Sequence, residues 1–162
     1  MKVGVVMGST SDLPVVEKGI AVLQEYGVPF EVHVFSAHRC PEEAREFAVT
    51  AREKGFGVLI AAAGMAAHLA GALAANTTLP VIGIPCKGAN FDGMDALLST
   101  VMMPSGIPVA TVAVDGAKNA ALLAIEMLAI TDASLAAKLN AAREEGRNAV
   151  LKADAEIAAR FH

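Results

Sequence analysis

The amino-acid sequence predicts an α/β protein, a three-layer αβα sandwich in which helices cover both faces of a parallel sheet. Short apolar runs rich in β-branched residues alternate with segments whose apolar residues recur at helical spacing. The apolar runs are continuous, which is typical of strands buried on both faces. Such alternation indicates right-handed βαβ crossovers. Five runs favour the strand order 2-1-3-4-5, which is flavodoxin-like, with an extra helix at the C-terminus.

Each element follows from a local pattern. The five predicted strands are residues 2–7, 30–35, 58–63, 80–85 and 109–114. The first helix is predicted from apolar residues at helical spacing before a stop at Gly27: Leu13, Val16, Ile20 and Leu23. The next four helices are expected to begin at or near Pro41, Gly64, Asp95 and Ala117. The helix beginning at Gly64 is small and apolar nearly all round, which predicts that it is buried.

The last predicted helix, residues 132–161, is charged and has no following strand to cross back to. Its apolar residues lie on one face: Val150, Leu151, Ile157, Ala158 and Phe161. This face is predicted to pack on a neighbouring subunit, and packing on its own domain is the alternative. The whole chain, residues 1–162, is expected to form one domain.

Composition excludes several classes of protein. The chain is 54% hydrophobic and 19% charged, which is typical of a globular protein rather than a disordered one. Its net charge is -4 and it has no block of Lys or Arg, which disfavours nucleic acid as a partner. No apolar run has transmembrane length, and the N-terminus lacks the pattern of a signal peptide. Cys40 and Cys86 are not spaced as a redox or zinc pair, and the expected location is cytoplasmic.

The fold class predicts where a ligand binds. In an open α/β sheet, ligands bind outside the carboxyl ends of the strands where the strand order reverses, here between the first and third strands. The loops at residues 8–12, 36–39 and 64–68 follow the first three strands and therefore meet at this edge. They are also the most unusual loops in the chain.

The first loop, GSTSD, offers backbone N–H groups, hydroxyls and a helix N-terminus, a combination that favours a phosphate. Neither a Walker sequence nor a dinucleotide fingerprint is present. Asp12 would repel a phosphate, so its functional role would be to bind a ribose hydroxyl or an amino group. The alternative is that Ser11 and Asp12 only cap the helix.

The other two loops each carry a histidine. His38 can exchange protons near neutral pH, and the adjacent Arg39 can bind a phosphate or carboxylate through two hydrogen bonds. The alternative for Arg39 is an ion pair with Glu42 or Glu43. His68 opens an apolar helix, where a histidine is more often a core residue. His33 and His162 are interpreted as structural or solvated, and no metal site or Ser-His-Asp arrangement is indicated.

Five segments in register resemble N(5)-carboxyaminoimidazole ribonucleotide mutase, up to about residue 130: residues 8–12 (GSTSD), 36–39 (SAHR), 63–69 (AGMAAHL), 80–85 (PVIGIP) and 103–109 (MPSGIPV). The resemblance implies a flavodoxin-like fold and a homo-octamer with sites at subunit junctions. It implies an isomerase of purine (IMP) biosynthesis with no metal or organic cofactor. Its partners would be a small ribonucleotide substrate and, functionally, the ATP-dependent synthetase that makes this substrate; neither nucleic acid nor membrane is implied.

The resemblance also implies roles for individual residues. His38 would be the acid–base residue, and His68 is the second catalytic candidate. The residues expected to bind the phosphate and ribose end are Ser9, Ser11, Asp12, Ser36 and Arg39. The residues expected on the carboxylate side are Gly64, Ala66, His68 and Leu69, with Ala67 as a further close wall.

Two rival functions stay open at this point. A related carboxylase branch uses carbon dioxide directly, but it typically has Lys at the position of Arg39 and lacks the Ala-Ala-His run that includes His68. A non-catalytic nucleotide- or flavin-binding module is compatible with the fold but leaves both histidines without a role. The chain also departs from the mutase pattern, which commonly has Thr, Gly, Pro and Gln in place of Cys40, Met65, Ala70 and Met102.

Overall fold

A computed structural model describes residues 1–161 of the chain, so His162 lies outside the described residues. The strands are β1 (Lys2–Met7), β2 (Phe30–Val34), β3 (Phe56–Gly64), β4 (Val81–Cys86) and β5 (Ala110–Thr111). The helices are α1 (Leu13–Tyr26), α2 (Pro41–Thr50), α3 (Leu69–Ala74), α4 (Met94–Val101), α5 (Ala117–Ala129) and α6 (Ala133–Phe161). A short 3-10 turn, Thr10–Asp12, precedes α1.

The sheet has the order β2-β1-β3-β4-β5, and all pairs are parallel. The predicted strand order and layer arrangement are therefore confirmed. Two apolar clusters lie on the two faces of the sheet. One includes Val16, Leu23 and Ile125 from α1 and α5, and the other includes Phe47 and Leu73 from α2 and α3. The carboxyl ends of the four longer strands consequently point to one edge of the sandwich, where their loops meet.

Helices α1 and α5 pack very closely because their contact is made by small residues. A Cβ atom added at Gly19 would lie 2.7 Å from the carbonyl oxygen of Ala117, which leaves no room for a side chain. Ala120, Ala121 and Ala124 on α5 are completely buried. This close contact holds the N-terminus of α1 at the edge where the loops meet.

Two predicted boundaries are wrong by more than two residues. Helix α3 begins at Leu69 rather than at Gly64, because β3 continues to Gly64 and Met65 then adopts a left-handed backbone with φ of 53°. As predicted, α3 is largely buried. Strand β5 has two residues instead of the six expected, since the chain turns towards α5 through Asp115, which has φ of 57°.

Helix α6 packs on the domain only over its first turns. Leu135 is its one buried residue in the described chain, Lys138 Nζ donates to the carbonyl oxygen of Tyr26 at 2.8 Å, and Arg143 pairs with Glu126. Residues 144–161 are exposed, apart from the half-buried Ala158. In residues 1–161, no helix has both the length and the apolar character that crossing a bilayer requires.

Candidate active site

A cavity of about 600 Å³ lies at the carboxyl ends of the strands, where the topology predicts a ligand. The loops after β1, β2, β3 and β4 form its walls. All ten residues predicted for the site line it: Ser9, Ser11, Asp12, Ser36, His38, Arg39, Gly64, Ala66, His68 and Leu69. Ala67, the further wall suggested by the sequence, is buried and does not line the cavity.

The histidines of two different loops are in direct contact. His38 Nε2 and His68 Nδ1 are 2.8 Å apart, and the two rings are arranged edge to face. At this distance one nitrogen must donate a proton and the other must accept it. Both side chains are exposed, so His68 is not the core histidine that was the alternative. The pair can therefore pass a proton between the two loops.

Arg39 joins the loops after β1 and β2. Its Nη2 donates to the carbonyl oxygen of Gly8 at 3.1 Å, and its Nε donates to Ser36 Oγ at 3.4 Å. Ser36 Oγ also accepts the backbone N–H of Arg39 at 3.2 Å. No ion pair with Glu42 or Glu43 is formed among the described residues, which disposes of that alternative. The guanidinium is thus held at the cavity wall with donors left for an anion.

Cys40 closes the His38-Arg39 loop. Its backbone N–H donates to the carbonyl oxygen of Ser36 at 2.9 Å, and its Sγ accepts the backbone N–H of Ser36 at 3.0 Å. Both bonds link the first and last residues of the same turn. Cys40, which stands where the mutase pattern commonly has Thr, therefore still provides a side-chain acceptor at the end of the turn.

The serines form a local network at the start of α1. Ser9 Oγ accepts the backbone N–H of Ser11 at 3.3 Å and the Ser11 hydroxyl at 2.9 Å. Asp12 stands at the N-cap of α1 but makes no capping hydrogen bond. Its carboxylate therefore does not have the capping role that was the alternative.

Burial shapes the electrostatics at the base of the cavity. It raises the pKa of Asp12, and the negative charge of Asp115 adds to this effect, while a backbone hydrogen bond at Ser9 opposes it. Burial also raises the pKa of the Cys86 thiol to about 12, with contributions from Asp12 and Asp115. Cys86 is consequently a neutral thiol at neutral pH. Lys87 and Arg39 supply positive charge at the cavity wall.

Sequence reasoning missed part of the wall. Lys87 and Gly88, which follow β4, line the cavity but lie outside the predicted loops. Gly8, Ala37 and Met65, which belong to those loops, and Ala63 also line it. The position of β4 next to β3 in the predicted order was the available signal, because the loop after β4 must then reach the same edge. Met65, which stands where the mutase pattern commonly has Gly, is 66% exposed at the cavity mouth. Its side chain therefore makes that mouth apolar.

A larger cavity, of about 970 Å³, lies at the amino ends of β4 and β5. Within residues 1–161 its charged lining residues are Arg52 and Glu53, and Arg52 already donates to Thr78 Oγ1 at 2.9 Å. It contains no His or Cys among these described residues. The smaller cavity is the candidate active site because proton-exchanging and anion-binding groups converge there. Residues 1–161 contain no group of three or more His, Cys, Asp or Glu arranged to hold a metal ion.

Comparison with known proteins agrees with this geometry. A family model described as AIR carboxylase matches residues 2–149. The chain belongs to the AIR carboxylase family. It is 56% identical over 144 residues to the N5-carboxyaminoimidazole ribonucleotide mutase of Pyrococcus abyssi, covering 89% of this chain and 83% of that protein.

Two further relatives of this AIR carboxylase family member extend the comparison. The phosphoribosylaminoimidazole carboxylase of Saccharomyces cerevisiae is 53% identical over 137 residues, which cover 85% of this chain and 24% of the yeast protein. The crystal structure of Treponema denticola PurE has a TM-score of 0.85 and 27% sequence identity, and it covers 95% of this chain and 96% of that one. The family resemblance seen in the sequence motifs is thus confirmed over nearly the full chain.

Proposed function

We propose that this chain is an isomerase that converts N5-carboxyaminoimidazole ribonucleotide to 4-carboxy-5-aminoimidazole ribonucleotide in de novo purine biosynthesis. The observation that carries the proposal is the 2.8 Å contact between His38 Nε2 and His68 Nδ1 inside a cavity that Arg39 also lines. A site for this reaction needs a proton-exchanging group near one end of the substrate and a cation near its phosphate. The mutase relative and the membership of the AIR carboxylase family support the same reaction.

The proposed mechanism has two steps. First, the bond between the exocyclic nitrogen and the carboxylate breaks, and His38 gives a proton to the departing nitrogen as carbon dioxide leaves. Second, the ring carbon attacks the carbon dioxide, and His38 takes the proton that this carbon loses. The proton given in the first step is recovered in the second, so the cycle balances within one substrate. An imidazole suits this double duty because it ionises near neutral pH.

Binding energy at the phosphate end would position the reacting end. We assign the phosphate to Arg39, Ser9 and Ser11, and the ribose to Asp12, because these groups line the cavity from the loops after the neighbouring strands β1 and β2. Ser36 supports this side by accepting hydrogen bonds from Arg39. The wall that follows β3, formed by Gly64, Ala66 and Leu69, is small or apolar and would hold the released carbon dioxide close to the ring.

The trapping step requires that water be excluded, whereas His38, His68 and Arg39 are exposed in a single chain. We therefore propose that neighbouring subunits of a homo-octamer cover the cavity mouth. Support comes from exposed apolar side chains: Met65, which lines the cavity, and Phe91, Met94, Leu98, Val101 and Met102, which lie on or next to α4. Several large apolar side chains exposed along one helix are typical of a protein–protein interface.

Helix α6 supplies the second proposed subunit contact. Within the single domain, the segment 132–161 would reach a neighbouring subunit with the part of the helix beyond Arg143. Val150, Ile157 and Phe161 in this part are exposed by half or more. We also assign the protein to the cytoplasm and propose functional coupling to the ATP-dependent synthetase that supplies the substrate.

The test is a direct assay with both candidate substrates. Purified protein is given N5-carboxyaminoimidazole ribonucleotide without added bicarbonate, or aminoimidazole ribonucleotide with carbon dioxide, and product formation is followed. The proposal expects turnover of the first at low enzyme concentration, and loss of that turnover in a folded His38→Asn variant. Carbon-dioxide-dependent consumption of the second substrate as the faster reaction would instead identify a carboxylase.

The carboxylase is the second candidate because the yeast relative, similar over the same residues, carries that name. Arg39 and His68 favour the mutase, since the carboxylase branch of the resemblance typically has Lys at the first position and lacks the second. A flavin-binding module is the remaining alternative, and flavin absorbance of the purified protein would support it.

A further inference from the structure

Asp115 lies outside the cavity lining, and its backbone has an unusual conformation. It follows β5 with φ of 57°, in the left-handed region that L residues other than Asn and Asp rarely adopt. The other two described residues of this kind, Met65 and Asp92, lie in the loops after β3 and β4. Such a conformation persists where the surrounding structure stabilises it. The contacts of Asp115 show what does so.

Asp115 fastens the chain where it leaves β4. Its backbone N–H donates to the carbonyl oxygen of Pro85 at 2.9 Å, and its Oδ1 accepts the backbone N–H of Lys87 at 2.9 Å. The regular pairing of β4 with β5 ends at Gly83 and Thr111. The carboxylate therefore takes the place that a strand carbonyl would occupy, because it accepts the amide of Lys87, two residues after Pro85, whose carbonyl oxygen accepts the Asp115 amide.

The segment held in this way is part of the candidate active site. Lys87 and Gly88 line the cavity, whereas Asp115 does not. The side chain of Lys87 is fastened separately and only at the surface, by Asp92 Oδ1 at 3.0 Å from its Nζ. Exposed ion pairs of this kind contribute little to stability. The hydrogen bond from the Lys87 amide to Asp115 consequently extends the restraint on the chain past Cys86, the last residue of β4 that pairs with β3.

We propose that Asp115 is a positioning residue of the substrate site, because its carboxylate oxygen holds the Lys87 amide and so places the Lys87–Gly88 wall of the cavity. The inference rests on the proposed function for its substrate. The wall that follows β4 would then be positioned by a side chain that does not itself contact the substrate. The acceptor oxygen performs this role, and the negative charge does not.

Three variants separate acceptor, charge and backbone. Asp115→Asn keeps an acceptor oxygen and tolerates positive φ but removes the charge, whereas Asp115→Gly adopts positive φ freely and removes the acceptor. Asp92→Gly is the matched control, since it changes another left-handed aspartate, in the loop after β4, whose carboxylate bonds to the side chain of Lys87 rather than to its amide. The measurements are KM and kcat for the isomerisation and hydrogen exchange of the Lys87 amide.

The expected result is a KM raised about three- to tenfold in Asp115→Gly, with kcat changed less, as loss of one hydrogen bond to the cavity wall predicts. KM in Asp115→Asn and Asp92→Gly should stay within about twofold of the parent value. The Lys87 amide should lose protection only in Asp115→Gly. An unchanged KM in Asp115→Gly, or an Asp115→Asn variant as impaired as Asp115→Gly, would overturn the proposal.

The exchange measurement also keeps the two proposals separate. If the parent protein fails to isomerise the substrate, the proposed function fails. Protection of the Lys87 amide from hydrogen exchange in that same protein still tests whether Asp115 restrains this amide. If Asp115→Gly does not fold, the parent protein alone decides. A Lys87 amide that exchanges as fast as the exposed amides of Ala89 and Asn90 would then contradict the restraint.

Discussion

The hydrogen bond between the two histidines leads to a prediction for a double-mutant cycle. Removing His68 leaves His38 in place but takes away its proton-exchange partner, 2.8 Å away. If one ring is charged during turnover, a hydrogen bond of this type contributes about 1.5–3 kcal/mol. Since about 1.4 kcal/mol corresponds to a factor of ten in rate, His68→Ala should lower kcat by about 10- to 100-fold. His38→Asn, which removes the acid–base group itself, should cost about 100- to 10,000-fold.

The cycle has a sharper expected result than either single variant. If His68 acts only through His38, the double variant should lose no more activity than His38→Asn alone. His33→Gln is the control, because His33 lies on β2, stacked on Phe35 with ring centroids 5.1 Å apart, outside the cavity. Its kcat should stay within about twofold of the parent value. The assay is steady-state formation of 4-carboxy-5-aminoimidazole ribonucleotide by variants whose thermal unfolding matches that of the parent. If the two losses of kcat multiply in the double variant, the two histidines do not act through one exchanged proton, and the reasoning is refuted.

Three other results are expected. Ser9→Ala and Arg39→Ala should weaken the binding of aminoimidazole ribonucleotide measured by calorimetry, by about tenfold for the charged Arg39. The control, Arg45→Ala on the exposed face of α2, should leave the affinity unchanged. Equal affinities of all three variants and the parent would remove the phosphate assignment. Because burial, helped by Asp115, raises the pKa of Asp12, affinity should fall on acidification at a higher pH than for an ordinary aspartate. Protonation of Asp12 favours the folded state as pH falls, so titration of this group lowers the affinity without unfolding the protein. An Asp12→Asn variant with the same pH profile would contradict the prediction. Ending the chain after Arg143 should leave the thermal unfolding of the domain within about 2 °C while sedimentation shows a smaller assembly; an unchanged assembly would argue against the α6 contact.

Much of the fold could be predicted because its determinants are local. Residues 2–7 were predicted with the bounds that the structure has, and α5 begins at the predicted Ala117, since a continuous apolar run and helical spacing are each visible without their partners. The strand order then decides which loops meet. Because β1 and β3 are neighbours, Ser9 and Gly64 lie at the same edge of the sheet although they are 55 positions apart in the sequence. The ten candidate residues therefore line one cavity.

The errors have a common physical origin in pairing partners. The run from Gly64 to Leu69 contains small residues that favour a helix, yet β3 extends through Gly64 because this residue pairs with Cys86 of β4. Helix α3 can begin only after Met65 has reversed the chain in a left-handed conformation. Strand β5 is short for a related reason, since its backbone pairs only with Ile82 and Gly83. Local propensity carries no information about where a neighbouring strand stops.

The wall after β4 shows the same limit at the level of the site. In the sequence, Asp115 and Gly116 form an Asp-Gly pair that indicates an ordinary turn. The hydrogen bond from the Lys87 amide spans 28 positions, so the function of the carboxylate exists only once β4 and β5 lie side by side. A residue that would contact substrate can be proposed from its own chemistry, as His38 and Arg39 are. A residue that positions another can be recognised only from the geometry between them, and Asp115 is therefore accessible to structural reasoning alone.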